Sequence, residues 1–118
     1  MRDFRKYDVW NSAIEITTLV YKLTKSFPNE EKYGLANQIQ RAAVSIASNI
    51  AEGASRSSEA DFSRFLEISL GSAFEVETQI LIAFNLKYIT KENYDLLVNK
   101  LNTLQKQLNQ FISMVRRK

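Results

Sequence analysis

The sequence predicts an all-α fold: one domain over residues 1–118, built as an antiparallel up-down-up-down four-helix bundle. Three observations carry this. Apolar residues recur at intervals of three and four along most of the chain, the period of an amphipathic helix and not the alternation of a half-buried strand. Helix breakers are scarce, with three glycines and one proline against 45% hydrophobic residues, which favours a packed helical domain over a disordered or loop-rich one. The few turn signals, Phe27-Pro28-Asn29, Gly53 to Ser58 and Tyr88-Ile89-Thr90, cut the chain into four segments with short connections, so consecutive helices run antiparallel.

The first helix is expected from Asp8, acting as its cap, to about Phe27, with Val9, Ala13, Ile16, Val20, Leu23 and Phe27 on one side and Trp10, Ile14 and Tyr21 widening it. Pro28 disfavours the helical conformation at Phe27. Asn29 with Glu30 and Glu31 then offers a cap and dipole-compatible acids to a second helix running from Glu30 to Ala54, with an irregularity at Gly34. From Leu35 onward its apolar residues cover an arc of about 200°, where a surface helix needs about 100°. Gln38, Arg41, Ser45, Ser48, Asn49 and Glu52 form the remaining polar stripe. Gly53 is expected to end this helix in the left-handed conformation.

Ser58, three residues before Asp61, reads as the cap of a third helix reaching Lys87. Its apolar arc, from Phe62, Phe65 and Leu66 to Ala83 and Phe84, is also wide and contains Glu77, a carboxylate that needs a partner or a proton there. Thr90 caps a fourth helix from Lys91 to Arg116. Tyr94, Leu97, Leu101, Leu104, Leu108, Phe111 and Val115 form its single heptad seam, and its other faces are polar.

Composition excludes several chemistries. The chain has no cysteine and no histidine, so thiolate chemistry and the usual general base near neutral pH are absent. The Glu-x-x-His motif of di-metal bundles is therefore missing, and no glycine-rich phosphate loop or nucleophile elbow occurs. No cofactor, metal site or catalytic set is expected, and the protein reads as non-enzymatic. Met1 to Tyr7 is charged and is not followed by an apolar signal region, and the run Ile80 to Phe84 is far too short to span a membrane. A soluble cytoplasmic protein is expected.

The interaction surfaces follow from the bundle. The second and third helices have more apolar surface than one core needs, which predicts burial against another subunit. The termini and the second connection share one end, collecting Arg2, Arg5, Lys6, Arg56, Arg116, Arg117 and Lys118, a docking surface for a phosphate backbone. The alternative is that Arg116-Arg117-Lys118 only complements the dipole of the last helix in solvent. A reversal centred near Arg56 places Arg41 beside Gly71 and one turn from Glu75, allowing a structural network of Gln38, Arg41, Glu75 and Glu77, while Asn49 and Glu52 fix the turn.

Leu35-x-x-Gln38-Ile39-x-Arg41-Ala42-Ala43-x-Ser45-Ile46-x-x-Asn49-Ile50-Ala51-Glu52-Gly53, then Phe65-Leu66 and Gly71-Ser72-x-x-Glu75-x-Glu77-Thr78-Gln79, resemble the four-helix-bundle proteins encoded by intervening sequences of bacterial 23S ribosomal RNA genes. Trp10, Tyr21, Phe27-Pro28 and Tyr33-Gly34-Leu35 extend the resemblance over nearly the whole chain, and Asn-Ile-Ala-Glu-Gly is its most specific part. Two residues depart from the pattern. Ala47 stands where that family often has proline, implying a straighter second helix, and Gln40 stands where it often has arginine, implying one positive charge fewer on a face for nucleic acid. The resemblance implies a ring-shaped homo-oligomer, most often a pentamer. It further implies kinship to the accessory variability proteins of diversity-generating retroelements, which bind nucleic acid and a reverse transcriptase. Two functions follow as expectations: an RNA- or DNA-binding oligomer, which engages nucleic acid or a protein that handles it through basic ends, and a protein-scaffolding oligomer whose charges serve solubility.

Overall fold

A computed structural model describes residues 2–118 and contains four helices, α1 (Asp8–Thr24), α2 (Leu35–Ala54), α3 (Glu59–Asn85) and α4 (Lys91–Arg116), with short 3-10 turns at Phe4–Lys6 and Asn29–Glu31. Each helix packs against two neighbours: α1 on α2 and α4, and α3 on α2 and α4. Cα atoms of the diagonal pairs, α1 with α3 and α2 with α4, stay more than 8 Å apart among the described residues. The bundle is thus a square in section, 46 Å long and 24 by 19 Å across.

The core is aliphatic. Ile16 and Val20 of α1, Ile39, Ile46 and Ile50 of α2, Leu66 and Val76 of α3, and Leu97, Leu101, Leu104 and Leu108 of α4 are all at most 1% exposed. Full burial of such a side chain stabilises by about 1.5–3 kcal/mol, so the heptad of α4 is worth more to the fold than any ion pair on its surface. Ile112 completes that seam as a buried residue, while Phe111 is half-buried. Phe111 instead joins an aromatic cluster that ties the N-terminal segment to α3 and α4, with Tyr7 at 4.9 Å and Phe62 at 5.5 Å between ring centres.

The caps of α3 and α4 are as expected. Ser58 accepts a bond from the Asp61 amide at 3.1 Å, and Thr90 accepts one from the Asn93 amide at 3.2 Å. Other boundaries differ. Asp8 is the first residue of α1 and not its cap, and α1 ends at Thr24, because Pro28 keeps Phe27 out of the helix and the last amides tighten onto the carbonyls of Leu23 and Thr24. The second helix does not begin at Glu30. Asn29–Glu31 forms a separate 3-10 turn without a side-chain cap, the chain redirects at Gly34, and Glu31 Oε1 accepts the Leu35 amide at 3.1 Å. From Leu35, α2 runs unbroken past Ala47.

Gly53 does not adopt the left-handed conformation; it lies inside α2, and no described glycine has positive φ. It is glycine for space. A Cβ there would lie 2.6 Å from the Phe65 Cβ and 3.2 Å from the Phe62 ring, so the ends of α2 and α3 approach as closely as backbone allows. The left-handed residue is Lys87, with φ 65°, just past the end of α3 at Asn85.

Candidate functional site

At the end where α2 hands over to α3, an open cleft of about 810 Å³ is lined by Arg2, Phe4, Arg5, Ala51, Ala54, Ser55, Arg56, Ser57 and Glu59. The fold therefore does gather the cations of the N-terminal segment and the second connection. It also neutralises several of them. Arg2 lies 2.6 Å from Glu59, donates to the carbonyls of Ala54 and Arg56, and stacks 4.5 Å above the Phe62 ring, leaving its side chain only 19% exposed. Arg56 pairs with Glu52 at 2.8 Å and Arg5 with Asp3 at 3.3 Å, while Arg116 reaches Glu67 at 2.6 Å. Lys6, Arg117 and Lys118 are exposed and form no ion pair among the described residues.

Exposed pairs of this kind are worth about 0–1 kcal/mol. Arg2 is different: its hydrogen bonds, ion pair and ring contact make it a bolt between the N-terminal segment and the α2–α3 connection. The Glu52–Arg56 spacing of four is visible in the sequence. The Arg2–Glu59 and Arg116–Glu67 pairs join residues far apart in the chain and leave no local signal. Arg64 pairs with Asp61 at 3.6 Å, so Glu52 has Arg56 as its partner.

The register of α2 against α3 is set by small hydroxyls. Ser45 and Ser72 share a 2.8 Å hydrogen bond, and Ser69 donates to the Ile46 carbonyl at 2.8 Å. Asn49 donates to the carbonyl and the hydroxyl of Ser45, fixing that serine from its own helix. These bonds bring Arg41 level with residues 74–76 and not with Gly71, because the reversal is centred nearer Ser58 than Arg56.

The proposed network does not close within the chain. Gln38, Arg41 and Glu75 are exposed and share no hydrogen bond or ion pair among the described residues, and Glu77 turns to α4, where Gln105 donates to it at 2.8 Å. Gln79, not singled out by the sequence pattern, is only 9% exposed, and its Oε1 has no partner among the described residues. Gln40 is half-buried and donates to the Thr24 hydroxyl at 2.9 Å, so the charge absent there is absent from the α1–α2 seam and not from an open face.

Apolar exposure is unevenly shared. The wide arc of α2 is filled by α1 and α3, and Val44 is its only exposed large apolar residue, which corrects the expectation of a broad intersubunit surface on this helix. On α3, Ile68, Phe74, Leu81 and Ile82 are between 43% and 51% exposed. Gly71 lies among them at helical spacing, and a Cβ there would meet nothing within 4 Å. On α1, Ile14 and Tyr21 are exposed. Among the described residues no helix is long and apolar enough to cross a membrane.

Comparisons with known proteins agree with this architecture. No curated protein matches the chain. A crystal structure of a protein of unknown function from the S23 ribosomal protein family of Bacteroides thetaiotaomicron superposes with a TM-score of 0.82 at 32% identity, covering 89% of this chain and 95% of that one. The family described as 23S rRNA-intervening sequence protein matches residues 5–110. With nearly the whole bundle inside that match, the chain belongs to the 23S rRNA-intervening sequence protein family.

Proposed function

We propose that this protein is a non-enzymatic homo-oligomeric module, a pentamer by its resemblance, that docks onto the phosphate backbone of structured RNA through the basic end of the bundle. The observation that carries the reading is the placement of Lys6, Arg117 and Lys118, which form no ion pair among the described residues, at the same end as the cleft of Arg2, Arg5 and Arg56. In a ring of parallel copies these cations recur around one rim, which multiplies a weak contact per subunit into a useful one. A protein that handles nucleic acid, such as a reverse transcriptase, is the partner such a rim would serve.

Gel shifts of a structured RNA and a duplex DNA across a salt series test this. Backbone docking expects affinity that falls steeply with salt. Neutralising Lys6, Arg117 and Lys118 should flatten that slope, whereas Glu52→Gln, which frees Arg56, should steepen it. Affinity that is absent at low salt, or indifferent to salt, would remove the proposal.

One observation favours a second reading. Four of the seven cations, Arg2, Arg5, Arg56 and Arg116, already face a carboxylate. A scaffold that binds only protein partners needs no free charge there, and a pull-down of one protein that survives nuclease treatment supports that alternative.

A further inference from the structure

We infer that a second copy of this chain docks its α1–α2 face onto the outer face of α3, so that the oligomer is joined by a heterologous contact. This rests on the homo-oligomeric reading above and specifies the surface that makes it. The receiving face is the ridge of Ile68, Phe74, Leu81 and Ile82, each exposed in the single chain. Gly71 cuts a notch into that ridge, in the interior of a 27-residue helix, at a point where nothing in the chain itself requires the absence of a side chain. A helix-interior glycine weakens the helix relative to alanine. In a contact between helices such a gap accepts an incoming side chain.

The docking face is formed where α1 meets α2. Ile14, Thr18 and Tyr21, spaced by four and three, make one stripe on α1, and Lys25, at its C-terminal cap, continues it. The Thr17 hydroxyl donates to the Ala43 carbonyl at 3.0 Å, which sets the exposed Val44 of α2 alongside that stripe, with Arg41 one turn before it. Ile14, Tyr21 and Val44 are exposed here and apolar, as on the ridge.

The charges left over on the two faces are opposite in sign. On α3, Glu59, Asp61 and Glu67 each hold an in-chain arginine, while the exposed Glu75 holds none among the described residues. On the other face Lys25 and Arg41 are exposed and form no ion pair among the described residues. Two apolar patches with complementary residual charge fit each other better than either fits itself, because pairing each with its own kind would set like charges together. Since α1 and α3 are diagonal, each copy can give one face and receive on the other at the same time. The docking face also includes α2, which adjoins α3, so the two faces are not back to back. Successive copies therefore turn, and the series can close.

The test is a mixing experiment on the full chain, read by light scattering. One variant, Phe74→Glu with Ile82→Glu, damages only the ridge; the other, Tyr21→Glu with Val44→Glu, damages only the docking face. All four positions are exposed, and far-UV circular dichroism confirms that each variant remains helical. Each variant alone is expected to lose the oligomer and run as a monomer. Mixed, they retain one intact contact between them and should form a discrete 1:1 dimer.

A wild-type monomer would sink the homo-oligomeric reading itself. A wild-type oligomer that survives both sets of substitutions, or two monomeric variants that do not pair, would leave that reading standing and overturn this interface. As a further arm, Lys25→Glu alone should weaken assembly, and combining it with Glu75→Arg should restore it. Failure of that restoration counts against the charge pairing.

Discussion

Gly53 and Gly71 are the same residue in the same kind of element, yet they answer to different demands. At Gly53 the Phe65 Cβ would lie 2.6 Å from an added Cβ, whereas at Gly71 the space is open. Gly53→Ala should therefore cost about 1–3 kcal/mol by overpacking, and Gly71→Ala should stabilise an isolated subunit by about 0.5–1 kcal/mol. Urea denaturation of both variants in the Phe74→Glu, Ile82→Glu background, expected to be monomeric, would check the opposite signs. A second prediction concerns the opposite end of the bundle. The hydrogen bond from the Tyr88 hydroxyl to Glu31, at 3.1 Å, raises the tyrosine pKa above its usual 10.0, and the bond from Lys91 to Asp95 raises that lysine above 10.5. Both groups hold their protons more tightly when folded, so their stabilisation is complete below those ordinary values and is lost as pH rises through the raised ones. The denaturation midpoint should therefore fall as pH rises above the ordinary tyrosine value of 10.0, less steeply in Tyr88→Phe. Glycine spacing was legible in the sequence but its reason was not, since the neighbour at Gly53 arrives from another helix. Lys87 carried no signal, because nothing in Leu86-Lys87-Tyr88 marks a left-handed residue.

At the level of the helices, local chemistry was easier to read than relative placement. Ser58 and Thr90 cap amides only three residues away, so their role is written within one turn of sequence. Replacing either by alanine should cost about 1 kcal/mol, seen as a lower thermal midpoint with helical content kept at low temperature. The register of α2 on α3 required knowing how many residues the reversal uses, and an error of three to five residues there displaces Arg41 from Gly71 by about one helical turn. Glu77 shows the same limit. Its place within an apolar arc was visible, and a partner was needed, but the identity of Gln105 depends on how α4 lies along α3. The start of α2 was displaced because Asn29, Glu30 and Glu31 look like a helix N-terminus, and they do form a helical turn, only a 3-10 one that stops before Gly34.

For the whole molecule, fold class follows from periodicity, since four amphipathic segments with short links have few ways to bury their stripes. The site did not follow in the same way. The sequence places seven cations at one end, but the pairing of Arg2 with Glu59 and of Arg116 with Glu67 decides how much of that charge faces outward. Excess apolar arc was likewise legible on both central helices, yet only the packed bundle separates α2, whose excess is covered by neighbours, from α3, whose excess is not. The square section also bears on how the chain reaches this structure. Three of its four seams join helices consecutive in sequence, and the fourth, α1 with α4, is the sparsest and borders an open groove of about 300 Å³ near the exposed Lys100–Glu15 pair. Seams between consecutive helices close short loops and form early, so the α1–α4 seam should be last to zip. Truncating Ile16, which is buried and lines that groove, should then speed unfolding more than it slows refolding relative to Ile46 or Leu66, giving lower φ-values in stopped-flow kinetics.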